Sequence, residues 1–487
     1  MSEQRLNKKI ISATKWSTIT ELVSKLIVPI TNMILARILA PDAFGVIATI
    51  TMVISFTEML TDSGFQKFIV QREFKDKEEK HRNANVAFWS NFILSIIILL
   101  IIIIFNEQVA RMVGNPGLGY VLIVASLQIP LTSFSSIQRA LYRRKFDFKT
   151  LFIVRVIGSL IPFIVSIPLA IFGLDYWSLI IGMLTMQSFN AVFLTIKSEW
   201  KPSFYYNFNT LKQMLSFSTW SFLEAFTIWL CVWIDTFIIS YYLNEYYLGI
   251  YKTSTIMVNS LLALVTGAII PVLFSALSRL QNNDEEFIKM YFKFQRLIAL
   301  FILPIGVGVL LFSDLATMLI LGSQWSEASN VVGAWALSRA VLIVFGYTAS
   351  EVYRSKGKPK FSFYAQLSHL IVLVPTCIIA IKYGFWALVY ARSIVVLQLV
   401  FVHLVLLQKL FNISIYKTIK NITPNIVAVT LMGGLASILL IFNKSIIWML
   451  VTITISAIFY FLIMLLFPNN RHELFNTIKN NTFINKT

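Results

Sequence analysis

Arg339 and Arg392 stand in long apolar stretches, as do Lys25, Lys252 and Arg37, and these five cations carry the most informative chemistry of the chain. An ionised group near the centre of a bilayer costs about 2.5–3.5 kcal/mol on insertion scales, so it requires a partner, a wet cavity or a route to the interface. Guanidinium and ammonium groups gathered in such a cavity suit an anion, and above all a diphosphate, whose oxygens accept several charge-assisted hydrogen bonds. Three carboxylates, Glu21, Glu224 and Asp235, sit in similar surroundings. Burial raises the proton affinity of a carboxyl, so such a group can take up and release a proton near neutral pH and provide coupling without ATP.

Spacing sorts these groups. Glu21 and Lys25 are one helical turn apart, in the order that favours an intrahelical pair, either structural or functional. Arg37 and Arg155 lie close enough to helix ends to snorkel. Arg339 falls near the middle of its span and Glu224 has no basic neighbour along the chain. Asp235 and Lys252 flank a turn centred on Asn244, nine residues before it and eight after. In an antiparallel hairpin that puts both about 12–13 Å below the turn, at 1.5 Å per residue. The spacing leaves two alternatives, a salt bridge that changes partner during a transport cycle or a static pair joining two helices.

The elements that position these residues are membrane helices. The chain of 487 residues is 57% hydrophobic with a mean hydropathy of +0.75. Apolar runs of about 20 residues match a hydrocarbon core about 30 Å thick, and helices satisfy their backbone there without water. About fourteen spans are predicted: 16–39, 43–61, 84–105, 118–136, 151–172, 176–196, 215–241, 246–273, 297–312, 331–349, 363–381, 385–407, 422–442 and 446–467. The fold class is all-α, polytopic.

Of 41 Lys and Arg, six lie within spans, and only Arg111, Lys382 and Lys444 fall in one set of alternate loops. The rest occupy the other set and the tails. This bias places both termini in the cytoplasm, with no cleaved signal peptide. It also explains the formal charge of +18 by topology and anionic lipid rather than nucleic acid. The loop 61–83 mixes Phe65, Phe68 and Ile69 with Lys67 and Arg72, as expected of a segment along the membrane surface or of a solvated loop. No G-x-x-x-x-G-K-[ST], H-E-x-x-H or Cys-x-x-Cys occurs, Gly306-Val307-Gly308 lies inside a span, and no metal or organic cofactor is expected.

An internal repeat is visible. Leu39–Gly45 aligns with Leu243–Gly249, 204 positions later; Tyr176-Trp177-Ser178-Leu179 with Phe385-Trp386-Ala387-Leu388, 209 later; and Lys145-Phe146-Asp147-Phe148 with Lys360-Phe361-Ser362-Phe363, 215 later. Six spans separate the copies, so they share one orientation. Parallel repeats of this kind are a transporter architecture with the path between the lobes. The expected organisation is a six-helix lobe over 1–200, a second over 201–410, and two additional helices over 411–487. Gly45 and Gly249 are expected just inside a helix end, where a missing Cβ permits a tight turn or close packing.

Several segments resemble one family. Leu35–Gly45, Asp62-Ser63-Gly64-Phe65 with Ile69–Arg72, Gln138–Phe146, Asp235 followed by Leu243 and Gly249-Ile250-Tyr251, and Pro271–Phe274 with Leu277–Gln281 are similar to the polysaccharide transporters. The resemblance covers nearly the full chain. It is nearest to the Wzx-type flippases of the multidrug/oligosaccharidyl-lipid/polysaccharide exporter superfamily, in the colanic and teichuronic acid branch. It implies a bacterial cytoplasmic-membrane protein with two lobes alternating between inward-open and outward-open states, and no covalent catalysis. The implied passenger is an undecaprenyl-diphosphate-linked oligosaccharide, coupled to H+ or Na+ and handed to a polymerase and chain-length machinery for capsule, O-antigen, teichuronic acid or exopolysaccharide. Lys25, Lys252, Arg37, Arg339 and Arg392 are the expected substrate contacts, and Glu21, Glu224 and Asp235 the expected coupling groups. Rival readings are a cation-coupled drug exporter and a membrane polymerase or glycosyltransferase.

Overall fold

In the computed structural model, residue 23 and residues 27–62 and 65–467 are described, apart from the side chains of residues 62, 216–221, 223, 224 and 268. The described chain is helical from end to end. In order the helices are α1 (Ile27–Ile38), α2 (Pro41–Asp62), α3 (Phe65–Gln71), α4 (Lys77–Ile104), α5 (Asn106–Met112), α6 (Gly119–Ser126), α7 (Gln128–Arg144), α8 (Phe148–Ile171), α9 (Tyr176–Lys197) and α10 (Phe208–Tyr242). They continue as α11 (Glu245–Arg279), α12 (Asp284–Leu311), α13 (Ser313–Ile320), α14 (Ala328–Leu342), α15 (Thr348–Ser355), α16 (Lys360–Ile381), α17 (Phe385–Phe411), α18 (Ile415–Phe442) and α19 (Ile446–Leu466).

Among the described residues, 13 helices are long and apolar enough to cross a membrane, and α1 is a shorter apolar helix. Each corresponds to one span expected from hydropathy. The fold turns hydrophobic side chains outward as a lipid solvent requires: Ile93, Ile97, Leu100 and Ile104 form an exposed stripe at helical spacing on α4. Polar caps start the helices where chain leaves the loops. Asp76, Asp147, Asn207 and Asn283 each accept from a backbone N–H three residues on.

Two compact units divide the chain, residues 1–252 and 253–487. In the first, the loop after α2 contains α3, whose Phe65, Phe68 and Ile69 are buried against Ile137, Ala140 and Leu141. Protein rather than lipid covers this amphipathic face. Arg144 fixes the segment by donating to the carbonyls of Ile69, Val70 and Arg72 at 3.0, 2.9 and 2.6 Å, which caps the end of α3.

The repeat has a physical counterpart within the first unit. A Cβ placed on Gly45 would come 1.9 Å from the Glu245 carbonyl oxygen, and one on Gly249 would come 1.9 Å from that of Pro41. Pro41 and Glu245 are themselves 204 residues apart, so the two contacts are images of each other under the repeat. Both glycines therefore serve close backbone packing between the starts of α2 and α11.

At a second place the structure shifts the register. Phe146 has φ of 60°, whereas Phe361, its counterpart at offset 215, lies inside α16. The matching geometry lies at offset 211. Lys145, Phe146 and Asp147 donate their backbone N–H to Leu141, Arg143 and Tyr142, and Lys356, Gly357 and Lys358 donate theirs to Val352, Arg354 and Tyr353. These are the same three bonds closing two helices, with Phe146 and Gly357 (φ 67°) in the left-handed region. A Tyr-Arg-x-Lys sequence, Tyr142–Lys145 and Tyr353–Lys356, precedes each turn.

Candidate functional site

Charge at membrane depth collects around tryptophan. In the second unit, Trp335 of α14 sits four residues before Arg339 on one helical face. The Arg339 guanidinium lies 4.3 Å from the Trp335 ring centroid and that of Arg392, from α17, lies 5.3 Å from it. Arg392 is only 3% exposed and Arg339 is half-buried. An indole face attracts a cation by about 2 kcal/mol or more when both are desolvated, comparable with the insertion cost of the charge. The two arginines expected to act together are thus brought onto one ring, with Arg339 the more open. One turn beyond Arg339, residues Ile343–Tyr347 form a π-helix, an irregularity often associated with functional positions.

In the first unit, the hairpin of α10 and the start of α11 holds the second cluster. Lys252 lies over the ring of Trp233, its Nζ 4.0 Å from the centroid. The Asp235 carboxylate accepts from Tyr251 Oη at 2.7 Å, and from the backbone N–H of Thr236 at 2.7 Å. The hairpin thus brings Asp235 beside the turn of α11 that carries Lys252, through Tyr251, one residue before the lysine. Asp235 is 3% exposed. At the repeat offset of 204 the counterparts are Thr31, whose hydroxyl bonds the Ile27 carbonyl at 2.9 Å, and buried Ala48. At these two positions only the second copy of the hairpin carries charge.

Glu21 and Lys25 lie outside the described residues. Glu224 belongs to α10, with its side chain outside them. Arg37 is exposed near the end of α1, as is Arg155 in α8, consistent with snorkelling. Glu351 of α15 is buried and pairs with Arg354 at 2.9 Å. Among the described residues no cluster of His, Cys, Asp or Glu could hold a metal ion.

Sequence reasoning missed the aromatic partners Trp233, Tyr251 and Trp335. The Trp335-x-x-x-Arg339 spacing was available as a signal. Trp233 and Lys252, 19 residues apart across a turn, offered none.

The model of the polysaccharide biosynthesis protein family matches residues 34–330. The chain belongs to that family. It is 24% identical over 335 residues to the succinoglycan biosynthesis transport protein ExoT of Rhizobium meliloti (strain 1021), covering 69% of this chain and 67% of that protein. It is 20% identical over 380 residues to the lipopolysaccharide biosynthesis protein WzxC of Escherichia coli (strain K12), covering 77% and 75%. Among solved structures, the lipid II flippase MurJ in an inward closed conformation superposes with a TM-score of 0.74 at 16% identity, over 94% of this chain and 98% of that one. That likeness establishes the fold shared by this family member and the flippase.

Proposed function

We propose that this protein moves a lipid-linked oligosaccharide across the bacterial cytoplasmic membrane by alternating access, with both termini in the cytoplasm and no covalent step. The passenger chemistry is that of an undecaprenyl diphosphate carrying a sugar repeat unit destined for surface polysaccharide. The observation that carries this reading is the pairing of Arg339 and Arg392 on Trp335 at membrane depth. The indole keeps two guanidiniums charged where lipid would expel them, and a diphosphate is the kind of group that uses two such forks. Arg339 contacts the passenger, and buried Arg392 holds the ring and adds field. Lys252, supported by Trp233, contributes a further cation, with Arg37 near the end of α1 and Lys25, assigned from the sequence alone. Asp235, Glu224 and Glu21 are the coupling groups, exchanging H+ or Na+ as the cavity changes sides.

Family membership, the transport role in the printed name of ExoT and the flippase role in that of MurJ support the reading. The scarcity of Lys and Arg in one set of loops supports the orientation. The two lobes, over 1–200 and 201–410, would rock about the passenger, and 411–487 adds the last two helices. A polymerase and chain-length machinery would act on what is delivered.

The test is complementation of a strain lacking its own flippase, with Arg339→Gln and Glu224→Gln combined at normal protein abundance. Loss of surface polymer, with single repeat units on undecaprenyl diphosphate trapped in the cytoplasmic leaflet, is the expected result. Wild-type polymer levels would overturn the proposal. Repeat units accumulating on the outer leaflet of a deletion strain would point instead to a polymerase, and altered efflux of hydrophobic cations to a drug exporter.

A further inference from the structure

A small cavity of about 130 Å³ opens at the loop end of the first unit, where the starts of α4 and α8 meet the ends of α7 and α9. It is far below the 300–1,000 Å³ of a site for a drug-sized molecule, so it admits a single small group. Its rim carries Lys80, Lys145 and Lys197, and its wall includes Tyr142 and Trp200. The two acids beside it are already engaged. Asp147 caps α8 by accepting from Thr150 N and Oγ1 at 3.1 and 2.8 Å. Glu199 receives the Lys145 ammonium, a hydrogen bond that holds its carboxyl below the usual carboxylate range. The ammonium groups of Lys80 and Lys197 have no hydrogen bond or ion pair among the described residues.

The wall adds donors in the same condition. Tyr142 is 8% and Trp200 4% exposed, and neither Tyr142 Oη nor Trp200 Nε1 has a hydrogen-bond partner. An unsatisfied buried polar group costs about 1–3 kcal/mol, and indole N–H can only donate. The duplicated turn supplies a control inside the same molecule. Tyr353, equivalent to Tyr142, has its Oη 3.2 Å from both Nδ1 and the carbonyl oxygen of His403, and Lys356, equivalent to Lys145, bonds Asp284 at 2.6 Å. The lysine of each copy is paired, but the tyrosine hydroxyl is satisfied in one copy and left without an acceptor in the other.

We propose that this cavity binds a phosphate group, reached by Lys80 and Lys197 from the rim and by Tyr142 and Trp200 from the wall. Two sources share that chemistry: the headgroup of an anionic phospholipid and free phosphate. The segment after Trp200 favours the lipid. Phe204 is almost wholly exposed and stacks on Trp89 with ring centroids 5.2 Å apart, and Phe208 is exposed beyond it. Trp89 under Phe204, and Tyr206 packed against Phe208, are amphipathic rings of the kind that settle at headgroup level.

The experiment is native mass spectrometry of the full chain in detergent, titrated with phosphatidylglycerol, with phosphatidylcholine, or with inorganic phosphate. Wild type is expected to retain phosphatidylglycerol in preference to phosphatidylcholine. Lys80→Gln combined with Lys197→Gln removes two charge-assisted bonds and should weaken retention by roughly tenfold or more. Tyr142→Phe with Trp200→Phe should weaken it less, while Lys289→Gln, on the exposed start of α12, should leave it unchanged. Displacement of the lipid by inorganic phosphate, absent in the lysine variant, would identify free phosphate as the source at the same site. Equal retention by wild type and the lysine variant, or an equal loss with Lys289→Gln, would overturn the proposal. The readout involves no transport, so its failure leaves the proposed function standing.

Discussion

The turns after Tyr142 and after Tyr353 share three backbone bonds and a Tyr-Arg-x-Lys sequence, yet their tyrosine hydroxyls meet opposite fates. Tyr353 and Lys356 both find partners. Its hydroxyl meets His403, its ring stacks on Phe411 at 5.5 Å, and Lys356 bonds both Asp284 and the Gln281 carbonyl. Around Tyr142 the packing is apolar, with Val154 and Leu194, and the hydroxyl has no partner. The hairpins at Asn244 and Pro41 differ in the same way, one charged by Asp235 and Lys252, the other neutral at Thr31 and Ala48. Duplication preserved the backbone contacts that hold helices together, including the reciprocal Gly45 and Gly249 packing. Chemistry sits where the copies diverge.

The largest effect should come from deleting each tyrosine hydroxyl in turn. Tyr353→Phe leaves His403 Nδ1, itself buried, without its partner, and such a loss costs about 1–3 kcal/mol. Tyr142→Phe removes a hydroxyl that bonds nothing, so stability should be unchanged or slightly higher. Thermal unfolding of the purified variants in one detergent measures both. Equal losses would mean that the Tyr142 hydroxyl is satisfied within the fold, and the contrast between the two corners would fail.

How much of this was legible in the sequence depends on range. Hydropathy located all 13 spans found among the described residues, because lipid imposes its demand residue by residue along the chain. The Leu39–Gly45 match with Leu243–Gly249 also carried real information, since a reciprocal backbone contact forbids a Cβ at both glycines. The third match was misleading. Lys145-Phe146-Asp147-Phe148 resembles Lys360-Phe361-Ser362-Phe363 in composition, while the turn chemistry obeys Tyr142–Lys145 and Tyr353–Lys356 four residues out of register. Identity of the deep charges was plain, but their partners were not. A cation and an indole on one helix leave an i, i+4 trace, as Trp335 and Arg339 do, whereas Arg392 reaches the same ring from another helix with no trace at all.

A smaller effect, with opposite signs at the two corners, should follow from the left-handed residue. Gly357 holds φ of 67° with open space around its missing Cβ, so Gly357→Val meets backbone strain alone. That conformation costs an ordinary L-residue about 1–2 kcal/mol. Phe146 already bears the strain at φ of 60°, and its side chain is 43% exposed, so little packing opposes its removal. Phe146→Gly should therefore raise the unfolding temperature while Gly357→Val lowers it. A fall in both would show that Phe146 contributes packing that outweighs its backbone.

The smallest effect on stability distinguishes what the two lysines do. Lys356 has an 18% exposed side chain, lies 4.5 Å over the Phe287 ring and holds Asp284, which is itself 85% exposed. A pair with one partner so open is worth about 0–1 kcal/mol, and the ring contact adds a similar amount. Lys356→Gln should thus lower the unfolding temperature by a small, measurable step. Lys145→Gln should not, because Glu199 and Lys145 meet in water and the turn is closed by backbone bonds that the substitution leaves intact. Its consequence should appear in ligand retention instead, in two parts that act in the same direction: one rim cation is lost, and Glu199 is released as a free negative charge beside the cavity. Both parts weaken anion binding, so Lys145→Gln should reduce phosphatidylglycerol retention more than Lys80→Gln alone, and adding Glu199→Gln should restore part of the difference. If the double variant binds no better than Lys145→Gln, the carboxylate does not face the cavity, and the open corner is less acidic at its edge than its lining residues imply.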